Sequence, residues 1–369
     1  MTQHLNRRRF LQTTAATGLA AGIVPSIAPS IAHAQDPLGI ALVVPSPVGE
    51  VGWSHALAEG LAPIKAEYGD GVNITILESI PEGPDADRIM NKVVADGARV
   101  LVAGSFGYQN GAMQIARRNP DVTVLHASGF MVAPNFTPFA AKYFQGTYLM
   151  GMAAAALSKT GKLGSVSAFA IPELITSINA FTLGAQAVNP EIEVSVVWVN
   201  SWFDPAQEQD AARALLAQDC DVIFSNAQDT PSVVSVCEEA GAYVFNLNSS
   251  MKENAPNHYL GCVETDWTPF FMESVKAHMD GTFEGRNAFL GVEDNVVKVT
   301  DWNPDIPAET KAQIDEVEAA IAEGTFHPFT GRIVRQDETV GVEDGETLSD
   351  EAIVSMDWHV AGVTTPLPN

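Results

Sequence analysis

The chain has 369 residues, and its 20 Lys and Arg against 45 Asp and Glu leave a net charge of −25 at pH 7. An acidic surface of this size repels phosphate backbones and anionic lipid, which argues against nucleic-acid binding and electrostatic membrane attachment. Three cysteines are too few, and odd in number, for a disulfide framework. The length exceeds one comfortable core, so two domains are expected.

Residues 1–34 stand apart from the rest. Arg7-Arg8-Arg9-Phe10-Leu11 precedes a weakly apolar Ala, Thr and Gly stretch, and Ala32-His33-Ala34 places small residues at −3 and −1. This order reads as a twin-arginine export signal cut before Gln35. No Cys stands at the cut, so no lipid anchor is expected. The mature chain then carries 17 basic and 45 acidic residues, a charge of −28. No later apolar run reaches the roughly 18–20 residues of a membrane span. A soluble, monomeric, periplasmic protein is expected. Cys220 and Cys237 lie on successive predicted elements and could pair after export. Folding in a reducing cytoplasm favours buried free thiols instead.

From there, short apolar runs bounded by turn residues predict buried strands at 39–45, 73–79, 99–104, 122–127, 162–169, 193–199, 221–226 and 242–247. Helical periodicity predicts helices at 53–69, 85–98, 148–161, 176–190, 204–218 and 231–241, with two more at 267–280 and 307–323. The stretch 148–161 is small and apolar on every side, which predicts a tightly packed buried helix. Strand–helix alternation of this kind predicts an α/β protein with mainly parallel sheets.

The alternation occurs twice, at about 38–147 and 162–259, with a break near Ser158–Lys162. The expected division is an N-terminal lobe of 35–158 plus about 260–285 and a C-terminal lobe of 159–259 plus about 286–369. Two such lobes joined by several crossings form a closing cleft, with ligands gathering at the carboxyl ends of the strands.

Those strand ends carry aromatic, amide and acidic side chains and almost no basic ones. Trp53 follows the first strand, Phe106 the third and Asn179 the fifth. Trp202 and Asp204 come next, in Asn200-Ser201-Trp202-Phe203-Asp204-Pro205. Asn226, Asp229, Asn248 and Asp266 complete the set. Aromatic faces stack on flat π-systems or sugar rings, and Asn and Asp read donor and acceptor edges. Without Arg or Lys there is no partner for phosphate or carboxylate. A neutral, planar, hydrogen-bonding molecule fits, a nucleobase being the simplest. Each residue also has a purely structural explanation. Trp53 could staple its helix to the sheet, and Asp204 before Pro205 is a strong helix cap. The repetition at one edge of both sheets is what points to a site. No nucleophile, general base, metal cluster or cofactor motif is evident.

These residues resemble the basic membrane protein (BMP) family of substrate-binding proteins for ABC importers. The resemblance spans the mature chain and is carried by GEVGWSHALAEG, LVAGSFGY, IPELITSINAF, VWVNSWFDPAQEQDAA, ETDWTPFF and FTGRI. It implies the type I periplasmic binding protein fold, two Rossmann-like lobes closing on a ligand, with an inner-membrane permease as partner. It further implies stacking by Trp53, Phe106 and Trp202. Asn179, Asn226, Asp229, Asn248 and Asp266 would read the ligand edge, with Asp204 orienting its loop. Asn110 and Trp267 stand where nucleoside-binding members tend to have Asp and Lys. The resemblance thus points to a purine base, adenine first and a nucleoside second. A sugar or flavin ligand, or a secreted nucleoside-processing enzyme, are the alternatives.

Overall fold

The computed structural model describes residues 36–368. The expected export signal lies outside them.

The chain begins with β1 (Leu38–Val43), α1 (Trp53–Tyr68), β2 (Val72–Leu77), α2 (Pro84–Ala95), β3 (Ala98–Ala103), α3 (Gln109–Arg118), β4 (Thr123–Ala127) and β5 (Phe136–Ala141). It continues through α4 (Tyr143–Leu157), β6 (Lys162–Ser167), α5 (Pro172–Val188), β7 (Glu193–Trp198), α6 (Pro205–Leu216), β8 (Val222–Asn226), α7 (Ser232–Ala240), β9 (Tyr243–Asn248) and β10 (Tyr259–Thr265). After α8 (Thr268–Met279) come β11 (Ala288–Leu290), β12 (Val297–Thr300) and α9 (Ala308–Ala322).

The strands form two six-stranded sheets, ordered β11-β5-β4-β3-β1-β2 and β12-β10-β9-β8-β6-β7. Every pairing within them is parallel except β12 on β10. The orders are the same in both halves: 2-1-3-4-5 with a short late strand added at the far edge. In each sheet the order reverses beside the first strand, between β1 and β3 and again between β6 and β8. Helices cover both faces, as continuous apolar strands such as Ile40–Val44 demand.

The predicted α/β class and all eight predicted strands are present, with shifts of one or two residues at their ends. Missed were α3 and the strands β5, β10, β11 and β12. Gly111 interrupts the helical pattern of α3, and Pro138 sits inside β5, where a central strand would need its N–H. β5 tolerates the proline because β11 pairs only from Phe139 onward. β4 bonds the alternate residues, Val124 N–H donating to Asn135 O and Ser128 N–H to Phe139 O.

The first crossing between sheets lies before α4, at Ala141–Tyr143, not near residue 158. α4 packs on β9, β10, β12 and α5 of the second sheet. It is buried from Tyr143 to Ala155, as its all-apolar character predicts. Its contact with α5 is close enough that a Cβ on Gly151 would stand 2.1 Å from Phe181 O and one on Gly184 1.9 Å from Tyr148 O. α8 returns to the first half, where Gly60 of α1 lets Trp267 and Phe271 pack against it.

A terminal strap closes the second sheet. Val194 N–H donates to Gly362 O at 2.8 Å, and Thr364 N–H to Val194 O at 2.9 Å, along the outer edge of β7. The strap is anchored by Asn179, which is fully buried. Its Nδ2 donates to Trp358 O at 2.8 Å, and its Oδ1 accepts from Val360 N–H at 3.1 Å. Asn179→Ala is therefore expected to destabilise the fold by roughly 2–4 kcal/mol, since two buried backbone groups lose their partners. Calorimetric melting would measure this, with ligand affinity unchanged.

All three cysteines are free and buried. No helix among the described residues is long and apolar enough to cross a membrane.

Candidate functional site

The carboxyl ends of the two sheets face each other across a partly enclosed cavity. The first sheet supplies Trp53, Ser105 and Ser128. The second supplies Glu173, Leu174, Trp202, Ala227, Asp229, Leu247 and Asn248, and Tyr143 stands at the crossing. Most lie beyond β1, β3, β6 and β8, where strand order reverses in each sheet, the place open α/β sheets bind ligands. No Lys or Arg lines the cavity.

The backbone is strained here. Ser128, Ala227 and Asn248 all have left-handed φ, at 55°, 59° and 78°. Left-handed non-glycine residues cost free energy and collect where a surrounding structure holds them for a purpose.

Trp53 opens α1. Its indole Nε1–H donates to Gly104 O at 2.8 Å, and its ring stands edge-on to buried Trp267, with centroids 5.9 Å apart. The indole is thereby fixed before any ligand arrives. Trp202 comes from the opposite half. Its ring packs on Phe169 with centroids 4.7 Å apart, and its Nε1–H reaches Glu82 Oε1 at 3.3 Å. Glu82 belongs to the first half and also accepts from Ser105 Oγ and from Gly107 N–H.

Asp229 crosses the cleft. Its Oδ1 accepts from Trp53 N–H at 2.6 Å, and its Oδ2 accepts from Ser46 Oγ–H. Ser46 in turn pairs with Ser54 Oγ at 2.6 Å. The carboxylate thus caps the N-terminus of α1, where the helix dipole favours negative charge. Gly52 makes the approach possible, with φ 93° and a Cβ position only 2.7 Å from Asp229 Oδ1. Beside it, Gly52 N–H donates to Ser249 Oγ at 2.7 Å. Burial pushes the Asp229 carboxyl up to about 6, although Ser46 and the Trp53 and Ser54 amides pull it down.

Two further polar pairs close the inner wall. Tyr143 O–H donates to Asn248 Oδ1, and Ser128 Oγ–H donates to Glu173 Oε2 at 2.6 Å. Behind Ser105, buried His126 donates from Nε2 to the Ser105 carbonyl at 3.0 Å. Burial lowers His126 to about 4 and keeps it neutral.

Of the nine residues nominated from sequence, Trp53, Trp202, Asp229 and Asn248 line the cavity. The other five do not. Phe106 faces an adjoining outer groove with Phe130 and Phe289. Asn179 is the strap anchor. Asn226 is fully buried, its Nδ2 donating to Ser167 Oγ at 3.2 Å and to Leu174 O at 3.3 Å. Asp266 pairs with Lys298 at 2.9 Å and accepts from Thr268 N–H at 3.0 Å, in a separate depression. Asp204 caps α6, accepting from Gln207 N–H at 3.0 Å. Asp204→Ala should lower the melting temperature slightly and leave ligand affinity unchanged, a result differential scanning fluorimetry and calorimetry would read together.

Neither Asn110, exposed on α3, nor Trp267, fully buried behind Trp53, lines the cavity. Their contrast with nucleoside-binding members has no direct counterpart in its walls. Sequence reasoning missed Ser105, Ser128, Tyr143, Glu173, Leu174, Ala227 and Leu247.

Comparison with known proteins decides the family. Residues 38–326 match the Bmp family, described as ABC transporter substrate-binding protein PnrA-like. The chain belongs to this family. It is 35% identical to a purine-binding protein of Brucella abortus, over 91% of this chain and 96% of the relative. It is 30% identical to a Haloferax volcanii protein named for glucose binding by an ABC transporter, over 80% of this chain and 75% of that one. Among solved structures, a solute-binding protein of an ABC transporter system from Aeropyrum pernix superposes with a TM-score of 0.68 at 17% identity, covering 78% of this chain and 92% of that one. One from Conexibacter woesei gives 0.63 at 19%, covering 79% and 98%. The fold is the type I periplasmic binding protein fold, and the family resemblance read from the sequence holds. This BMP-family chain is an ABC transporter substrate-binding protein.

Proposed function

We propose that this substrate-binding protein traps a purine between its two halves, adenine first and a purine nucleoside second, and delivers it unchanged to an inner-membrane permease after twin-arginine export to the periplasm. The observation that carries the reading is the pair of indoles, Trp53 and Trp202, lining one cavity from opposite halves. Stacking on both faces suits a flat aromatic ring.

The polar inventory supports it. Asp229, Tyr143 and Ser128 already spend their hydrogen bonds within the protein. A sugar would need a partner for each hydroxyl, and an unmatched buried group costs about 1–3 kcal/mol. The lack of Lys and Arg weighs against anionic ligands. A relative named for purine binding agrees with this choice, and the one named for glucose makes sugar the competing outcome.

Calorimetric titration of ligand-stripped protein with adenine, guanine, adenosine, guanosine, riboflavin, ribose and glucose tests it. Tight adenine binding with weaker adenosine is expected. Tight glucose binding and silence from every purine would overturn the proposal.

A further inference from the structure

Among the described residues that line the cavity, Glu173 alone carries a buried polar atom that the closed structure leaves unpaired. It sits in the first turn of α5, in the second half, yet its carboxyl reaches the first. Glu173 borders both the inner cavity and the outer groove. Ser128 Oγ–H occupies Oε2 at 2.6 Å. The other oxygen, Oε1, is fully buried and has no hydrogen-bond partner among the described residues. A buried acceptor left unpaired is costly in a finished protein. Inside a ligand cavity it is the natural place for a ligand donor.

The surroundings are shaped for a carboxylate. The Ser128 hydroxyl donates to it, the Ala141 amide lies near enough to favour its ionised form, and it sits at a helix N-terminus. No basic side chain lines the cavity to neutralise it. Burial accordingly holds Glu173 up at about 7, above the usual carboxylate range, despite these donors. A ligand N–H placed on Oε1 would supply the missing stabilisation.

We propose that Glu173 sets which ring edge the cleft accepts: Oε1 takes an N–H donor of the bound heterocycle, so that ligands with an exocyclic amine are preferred to those without a hydrogen there. This rests on the purine reading above and names the edge that it left open. The same contact ties ligand recognition to closure, because Glu173 belongs to one half and its Ser128 partner to the other.

The proposal fixes a sign for pH. In the unliganded closed form the acid is raised, so a proton is held up to about pH 7. A donor on Oε1 favours the ionised form, so binding releases that proton. Affinity should therefore rise as pH increases from about 5.5 to 8.

The test is titration of wild type and Glu173→Gln with adenine and with N6,N6-dimethyladenine, whose exocyclic nitrogen carries no hydrogen, at pH 5.5, 7 and 8. Wild type should prefer adenine by about tenfold to a hundredfold, as expected for a bond to a charged acceptor. Glu173→Gln should bind adenine more weakly, lose most of that preference, and lose the pH dependence. Equal affinity of wild type for both purines, or a Glu173→Gln variant with undiminished preference and pH profile, would overturn the role of Glu173 and leave purine binding intact. The wild-type comparison stands even if the variant folds poorly. Wild type that binds neither compound would sink the purine reading itself.

Discussion

Trp202→Ala should weaken binding of adenine by about 1–3 kcal/mol, roughly fivefold to 150-fold in dissociation constant, with the fold retained. Trp202 is half-buried, packs on Phe169, and lines the cavity from the second half. Its removal takes away one of two stacking faces and the bond to Glu82. The loss should lie mainly in a faster dissociation rate, because the lid leaves while the Trp53 platform stays. Trp53 is held by Gly104 and Trp267, so it is a fixed floor, not a moving part. Calorimetry with stopped-flow fluorescence would measure both quantities. An unchanged affinity would remove Trp202 from the site.

The second large effect is expected at Asp229. Its carboxylate is spent on the first half, on Ser46 and the N-terminus of α1, so it acts as a latch between the halves. Asp229→Ala leaves the Trp53 amide unpaired and Ser46 with Ser54 as its sole partner in the closed form, whereas opening returns both groups to water. The closed form should lose roughly 2–4 kcal/mol relative to the open one, since each bond to a charged group contributes about 1.5–3 kcal/mol. The radius of gyration without ligand, from solution scattering, should increase, and adenine affinity should fall by thirtyfold or more. Asp229→Asn, which can still accept from Trp53, should recover part of both. If affinity falls but the radius does not change, Asp229 touches ligand and is not a latch. Its titration gives an independent check. An acid raised from 3.8 to about 6 makes the closed form lose stability as pH rises across that interval, so the cleft should loosen over it. Asp229→Asn should flatten this dependence.

The sequence carried the architecture further than it carried the site. Eight strands were legible because buried parallel strands are short apolar runs between turn residues, and their length and flanking residues separate them from buried helix segments. β5 was hidden by Pro138, and α3 by Gly111, each a residue that propensity assigns elsewhere and that topology tolerates. The position of α4 was not legible. An all-apolar helix announces burial but not which sheet it is buried against.

At the site, the large aromatics were found because Trp at a strand end is conspicuous. Amides were over-read. Asn179 and Asn226 satisfy buried backbone and hydroxyl groups, a need that sequence cannot separate from ligand recognition. Asp204 caps α6, the plainer explanation of an acid before a helix, and Asp266 is spent on Lys298 and the Thr268 amide at the start of α8. Glu173 was passed over for that reason, since an acid in a helix's first turn already has an ordinary explanation. Only its geometry, with one oxygen spent and one free, separates it from the caps. Leu174, Leu247 and Ala227 carry no signal, because apolar walls of a cavity and of a core are written with the same residues.

The strap along β7 has a consequence for the molecule's solubility. A terminal strand in a sheet exposes a row of amide and carbonyl groups that another copy can extend, and negative charge slows such encounters without abolishing them. Residues 362–365 occupy that row on β7. Because the occupant lies far beyond β7 in the chain, this edge is shielded only after that later segment has been made and has docked. Until then the outer edge of β7 is open to pairing with a neighbour, and docking of the Asn179-held segment removes that edge.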